Sequence, residues 1–170
     1  MEVINKRRSV RQFSDKKVES EKILSIIKSG MQAPSAKNQQ PWEFAVVEDR
    51  KNIEKLSLST PYTKFSINAA TIVVVYMRKK GLKAEDFVQQ DMGACIENML
   101  LESTNQGLGS TWMGIYPNKE RYKYIKELFN LSEDLIPFSL IAFGYPKDDN
   151  SNRFVDRFDE TRIHYIEKEG

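Results

Sequence analysis

The sequence predicts one domain of mixed α and β structure, and three observations carry that expectation. At 170 residues and 19.7 kDa the chain is about one domain's worth, long enough to bury a core without disulfides or a structural metal. Between Ala84 and Gln106 the residues Val88, Met92, Cys95, Ile96, Met99 and Leu100 keep a helical apolar stripe over about six turns, and Gly107 follows as a C-cap. The run "ATIVVVYM" (residues 70–77) is too apolar to have one wet face and reads as a central strand. No internal repeat, low-complexity tract or linker divides the chain, so residues 1–170 are expected to form a single unit.

The other elements follow in order. In "SEKILSIIKSGM" the residues Ile23, Leu24, Ile27 and Met31 recur at helical spacing behind Ser20 as a cap, predicting an amphipathic helix that stops near Gly30. "QAPSAKNQQPW" is polar and held between Pro34 and Pro41, an irregular loop with little freedom. A strand "EFAVVED" and a helix "RKNIEKLSL" precede the central strand. After the long helix come a strand in "GLGSTWMGIY", a helix "NKERYKYIKELF" capped by Asn118, and a strand in "IPFSLIAFGYP". The tail from Lys147 is polar, with "RIHYI" the one piece able to pair as a strand.

Composition removes several classes of function. With 26 basic and 24 acidic side chains the formal net charge is +2, which advertises no general nucleic-acid surface. The longest apolar run, "IVVVYM", falls far short of the roughly 20 residues that cross a bilayer. "MEVINKRRSV" lacks the apolar core of a secretory signal, so a cytoplasmic setting is expected. Cys95 is the single cysteine and His164 the single histidine, too few for an intrachain disulfide or a His/Cys metal cluster. Cys95 falls on the apolar stripe and reads as core. Asp86 and Asp91 in "DFVQQD" read as a solvated face, and His164 as surface or interface packing with a general base as the alternative. The nucleophile-elbow, zincin and P-loop motifs are all missing.

Three stretches could carry chemistry. "RRSVRQF" (residues 7–13) places three arginines within five positions. Two or more of the guanidiniums share a direction in either regular conformation, and with Ser9 between them they suit a phosphate or carboxylate. A solvated basic N-terminus balanced by Glu2, Asp15 and Glu19 fits the same residues. In "APSAKNQQPW" the side chains of Ser35, Asn38, Gln39 and Gln40 both donate and accept, which recognition of a heteroaromatic edge or a polyol chain requires. A surface connection satisfying its own backbone fits too. "GLGSTWMGIYP" begins like a dinucleotide fingerprint, but its third glycine would fall at Trp112. What remains is a strand end with Trp112, Met113 and Tyr116 beside Gly114, open to a flat ring or simply part of a core.

Together, "RRSVRQF", "APSAKNQQPWEFAVV", "DMGACIENMLLESTNQGLGSTWMG" and "DRFDETRIHY", in this order, resemble the nitroreductase family of flavin-dependent oxidoreductases in its short form. The resemblance covers nearly the whole chain. It implies an α+β sandwich with a central, mostly antiparallel sheet, and an intertwined homodimer with its active sites at the interface. It implies bound FMN, with NADH or NADPH as transient hydride donor and a small acceptor such as a nitroaromatic or quinone taking its turn on the same face. Carried onto this sequence, Arg7, Arg8, Ser9 and Arg11 would hold the phosphate and ribityl chain, and Arg157 would reach the phosphate from the tail. Pro34, Ser35, Ala36 and Asn38 would come from the partner subunit to line the flavin, and the backbone at Met113, Gly114 and Ile115 would face its N5 edge. Lys37 or Arg11 would stand near N1. Chemistry at the flavin requires no catalytic side chain, metal, membrane or nucleic acid. The alternatives are a basic-armed module for nucleic acid or a phosphorylated partner, and a flavin-binding protein without turnover. Substrate preference does not carry over, and residues 61–71 have no assigned role.

Overall fold

A computed structural model describes residues 2–166; Met1 and residues 167–170, part of the expected single unit, lie outside the described residues. Four strands, β1 (Trp42–Val47), β2 (Thr71–Arg78), β3 (Gly109–Gly114) and β4 (Leu135–Gly144), form one antiparallel sheet in the order β1-β2-β4-β3. The helices are α1 (Glu2–Lys6), α2 (Ser20–Met31), α3 (Arg50–Ser57), α4 (Val88–Asn105) and α5 (Lys119–Phe129).

The apolar run of β2 is sorted by strand periodicity. Val73 and Val75 join Ile23, Ile26, Met92, Cys95, Ile96 and Met99 in a core under α2 and α4. Ile72, Val74 and Tyr76 join Ile53, Leu56 and Ile125 in a second core under α3 and α5. The sheet is therefore the middle layer of a sandwich, and β2 has helices over both faces, as its composition requires. β4 accommodates Pro137 in a central strand through a register shift opposite Val75 and Tyr76.

Local chemistry sets most of the element ends. Asp49 and Asn118 accept from the backbone N–H groups of Asn52 and Arg121, capping α3 and α5. Gly107, at φ +75°, follows α4 in the left-handed conformation expected of a C-terminal glycine. Three expectations need correction. The extended residue before α2 is Glu19, so Ser20 lies inside the helix rather than capping it. The buried stripe of α2 is Ile23, Ile26, Ile27 and Gly30, leaving Leu24 and Met31 at 53% and 45% exposure. Gly30 sets that phase: a Cβ there would lie 2.7 Å from Met99 Cγ, so the bare backbone must face α4. "RIHYI" forms no strand within the described chain; Glu160–Arg162 is a short 3-10 turn, and Ile163 to Ile166 are exposed. No helix among the described residues is long and apolar enough to cross a membrane.

The N-terminal segment is seated on glycine. Gly109 and Gly144 are directly paired between β3 and β4. Cβ atoms added to them would lie 2.7 Å from Val10 Cβ and 2.8 Å from Phe13 Cδ1. Gly109→Ala is expected to destabilise the fold by about 1–3 kcal/mol through overpacking against Val10, read as a lower urea midpoint with an unchanged slope.

Candidate functional site

Beyond α1, residues 7–13 run extended past the outer edge of β3. Ser9 forms a parallel bridge with Ser110, and Val10 N–H donates to the Ser110 carbonyl at 2.9 Å. The Thr111 hydroxyl donates to the Val10 carbonyl, and Phe13 bridges to Pro146. The tail returns to this strap: Lys147 N–H donates to Gln12 O at 3.0 Å, and Asn152 links Arg8 N–H to the Leu108 carbonyl.

A cavity of about 390 Å³ opens where strap and tail meet, lined by Arg8, Ser9, Arg11, Asp148 and Arg153 among others. The Arg8 guanidinium is half-buried; its Nη1 donates to the Arg7 carbonyl, while Nε and Nη2 are buried without a partner among the described residues. The Ser110 hydroxyl in the adjoining strand is likewise buried and unpartnered. Burial first, then the charges of Arg157, Arg7 and Arg153, lowers the Arg8 pKa from its ordinary value. On the cavity wall itself Arg8, Arg11 and Arg153 outnumber the one carboxylate, Asp148, and with the idle donors of Arg8 they suit an anion with several acceptor oxygens, which a phosphate dianion is.

Arg7 stands apart. Its Nε pairs with Glu97 of α4 at 2.9 Å, and it does not line the cavity that receives Arg8, Ser9 and Arg11. Arg157 is exposed, yet near enough to Arg8 to bear on its charge.

The loop "APSAKNQQPW" is more strongly held than its polarity suggests. Lys37, Asn38 and Gln40 have φ of 50°, 52° and 43°, left-handed values that cost a side-chain-bearing residue about 1–2 kcal/mol each. Asp91 of α4, 5% exposed, accepts from Ala36 N–H at 2.9 Å and from Gln39 Nε2 at 2.6 Å. Gln39 Oε1 in turn accepts from the N–H groups of Lys83 and Ala84, and Arg78 Nη2 donates to the carbonyls of Gln39 and Gln40. Gln39 is thus a structural bolt, not a ligand-facing amide, and Asp91 is no solvated carboxylate. Ser35 Oγ accepts from Gln40 N–H at 3.0 Å, which leaves its hydroxyl proton to be given elsewhere. Ser35 and Ala36 are half-buried; Pro34, Lys37 and Asn38 are exposed.

At the end of β3 the side chains of Met113 and Ile115 enter the core, whereas Gly114 is exposed with open space where a Cβ would be. Tyr116 stacks between Tyr122 and Phe138, with ring centroids at 6.3 and 5.9 Å. Backbone, not side chain, is what this strand end presents. Neither it nor residues 34–38 line the arginine cavity.

Sequence reasoning missed Asp91, Asn152 and Arg153. Arg153 had a signal, standing four residues before Arg157; the contacts of Asp91 and Asn152 join residues far apart in the chain. Burial pushes the Cys95 thiol up to about 12, which fits a core residue and not a nucleophile. No cluster that could hold a metal ion occurs among the described residues.

The sandwich has counterparts among solved structures, and the chain belongs to the nitroreductase family: the sequence model of that family matches residues 4–61 and 57–145. A relative from Archaeoglobus fulgidus, provisionally named an NADH dehydrogenase/NAD(P)H nitroreductase, is 40% identical over 96% of this chain and 95% of its own. The crystal structure of a provisionally named NADH oxidase from Clostridium acetobutylicum superposes with a TM-score of 0.93 at 46% identity, covering 98% of this chain and 99% of that one. A provisionally named nitroreductase from Desulfovibrio desulfuricans, solved in complex with FMN, superposes with a TM-score of 0.81 at 26% identity over 99% and 96% of the two chains.

The strain in the loop is open to a direct test. Lys37→Gly is expected to stabilise the flavin-free protein by about 0.5–1 kcal/mol, because glycine adopts positive φ without steric cost; denaturant melts measure the change.

Proposed function

We propose that the protein is an FMN-dependent NAD(P)H oxidoreductase of the nitroreductase type, acting as a cytoplasmic homodimer in which the chain serves as one catalytic unit. The observation that carries this reading is the half-buried Arg8 guanidinium, with idle donors and like-charged neighbours beside a cavity of phosphate-accepting chemistry. The FMN phosphate fits this donor set. Arg8, Arg11 and Arg153 would hold it with the Ser9 hydroxyl, Arg157 would add charge from the tail, and Arg7 would steady the strap through Glu97 while adding positive potential. A bound flavin would supply the redox chemistry between NADH or NADPH as hydride donor and a small acceptor such as a nitroaromatic or quinone.

The chain's own part is placement and electrostatics. Pro34, Ser35, Ala36 and Asn38 would line the ring and ribityl chain from the partner subunit, a division supported by their absence from the lining of the arginine cavity. Met113, Gly114 and Ile115 would offer backbone to the reactive edge, and the bare Gly114 would leave room for donor and acceptor to alternate. Lys37 or Arg11 would place positive charge near N1, where reduction deposits negative charge. Exposed Phe154, Val155 and Phe158 on the tail suit burial against a second subunit.

Protein purified with FMN should be yellow and bleach on anaerobic addition of NADH or NADPH, then regain colour with a quinone. Arg8→Ala should weaken FMN binding by about tenfold or more, the scale of one lost charge-assisted hydrogen bond, with the melting of the flavin-free protein little changed. Unaltered flavin affinity in that variant would remove Arg8 from the phosphate site.

A further inference from the structure

We infer that Asp91 is a positioning residue for FMN: through Ala36 and Gln39 it sets the conformation of the loop that presents Ser35, Ala36 and Asn38 to the flavin, an inference that rests on the function proposed above.

The loop has two anchors of different kinds. Its C-terminal leg is held by Arg78, which binds the Gln39 and Gln40 carbonyls and whose N–H donates to Pro41 O at 2.8 Å. Its tip, the 3-10 turn Ala36–Asn38, begins at the N–H that Asp91 accepts. Two consecutive left-handed residues, Lys37 and Asn38, occupy that tip. Such a conformation persists only where its surroundings over-determine it. The fixed acceptor is one carboxylate in the first turn of α4, where the helix dipole favours negative charge. One oxygen takes the Ala36 N–H and the other takes the Gln39 amide, which is pinned by Lys83 and Ala84.

The polarity of this chain of bonds is specific. An amide at position 91 cannot satisfy both partners: if its oxygen faces Ala36, its NH2 opposes the NH2 of Gln39, and the flipped rotamer opposes Ala36 N–H instead. Combining Asp91→Asn with Gln39→Glu restores the match, since the amide then at position 91 would donate to the carboxylate then at position 39 while its oxygen accepts from Ala36. That relocated carboxylate would still accept from the N–H groups of Lys83 and Ala84. The bond to the Ala84 carbonyl is lost, and that carbonyl then faces a carboxylate oxygen where Nε2 stood at 2.9 Å, which is the residual cost of the double variant.

The experiment compares wild type, Asp91→Asn, Gln39→Glu and the double variant in two measurements: FMN affinity of the flavin-free protein by fluorescence titration, and amide exchange of residues 35–40 without FMN. Each single variant is expected to lose tenfold or more in FMN affinity and to exchange faster at the loop tip, with the double returning to within about threefold of wild type. The inference is overturned if Asp91→Asn binds FMN as wild type does, or if the double variant is no better than the singles. Should Asp91→Asn alone fail to fold by circular dichroism, Gln39→Glu and the double variant make the same comparison. A wild-type protein that takes up no FMN would overturn the inference together with the proposed function, whereas wild-type uptake with unaltered affinity in the variants overturns the inference alone.

Discussion

The contact on which the architecture turns is the one between Val10–Phe13 and the Gly109–Gly144 pair. Paired strands normally project side chains from both positions of a register pair; here both are hydrogen, and the space is filled by Val10 and Phe13. The strap is thereby part of the second core rather than an appendage. Its depth decides what its arginines can do. With Val10 buried and its N–H bonded to Ser110, Arg8 is drawn in, and the returning tail closes over it through Gln12 and Asn152.

The two polar centres of the molecule solve opposite problems. Asp91 is a buried charge whose partners are complete: a backbone N–H, an amide and a helix N-terminus. Arg8 is a partly buried charge with two of its donors, Nε and Nη2, unpartnered among the described residues, set among charges of its own sign. A structure that needs only to be stable has reason to complete both. Completing one and leaving the other short of an anion is what a pre-built binding site looks like, and the loop strain around Lys37 and Asn38 points the same way.

Much of this is legible in the sequence where the controlling physics is local. The even apolarity of β2 reports a strand covered on both faces, and α3 is visible without Asp49, although Asp49 caps it. Asn118 and Gly107 mark helix ends because capping acts within a few residues. What stays hidden depends on distant neighbours. The phase of α2 is set by how closely Gly30 meets Met99, which no periodicity of α2 contains; spacing alone therefore puts Leu24 and Met31 on the wrong side. Asp91 looks in sequence like half of a solvated acidic pair, since the bond that defines it spans 52 residues. The motif resemblance finds the strap, loop and strand end together, yet does not separate Arg7, committed to Glu97, from Arg8.

The same geometry accounts for the shape of the proposed enzyme. Cys95 is sealed in the core with its thiol pushed up to about 12, so it is not the group that this chain brings to a substrate. What it brings is a row of anion donors along one strap, a rigid loop held by α4, and a strand end stripped of side chain at Gly114. These lie on separate parts of one chain's surface, while apolar residues of the tail remain uncovered. A second copy would bring the loop to the strap and cover the tail in one act of association. In the homodimer proposed above, dimerisation and completion of the flavin site would then be the same event.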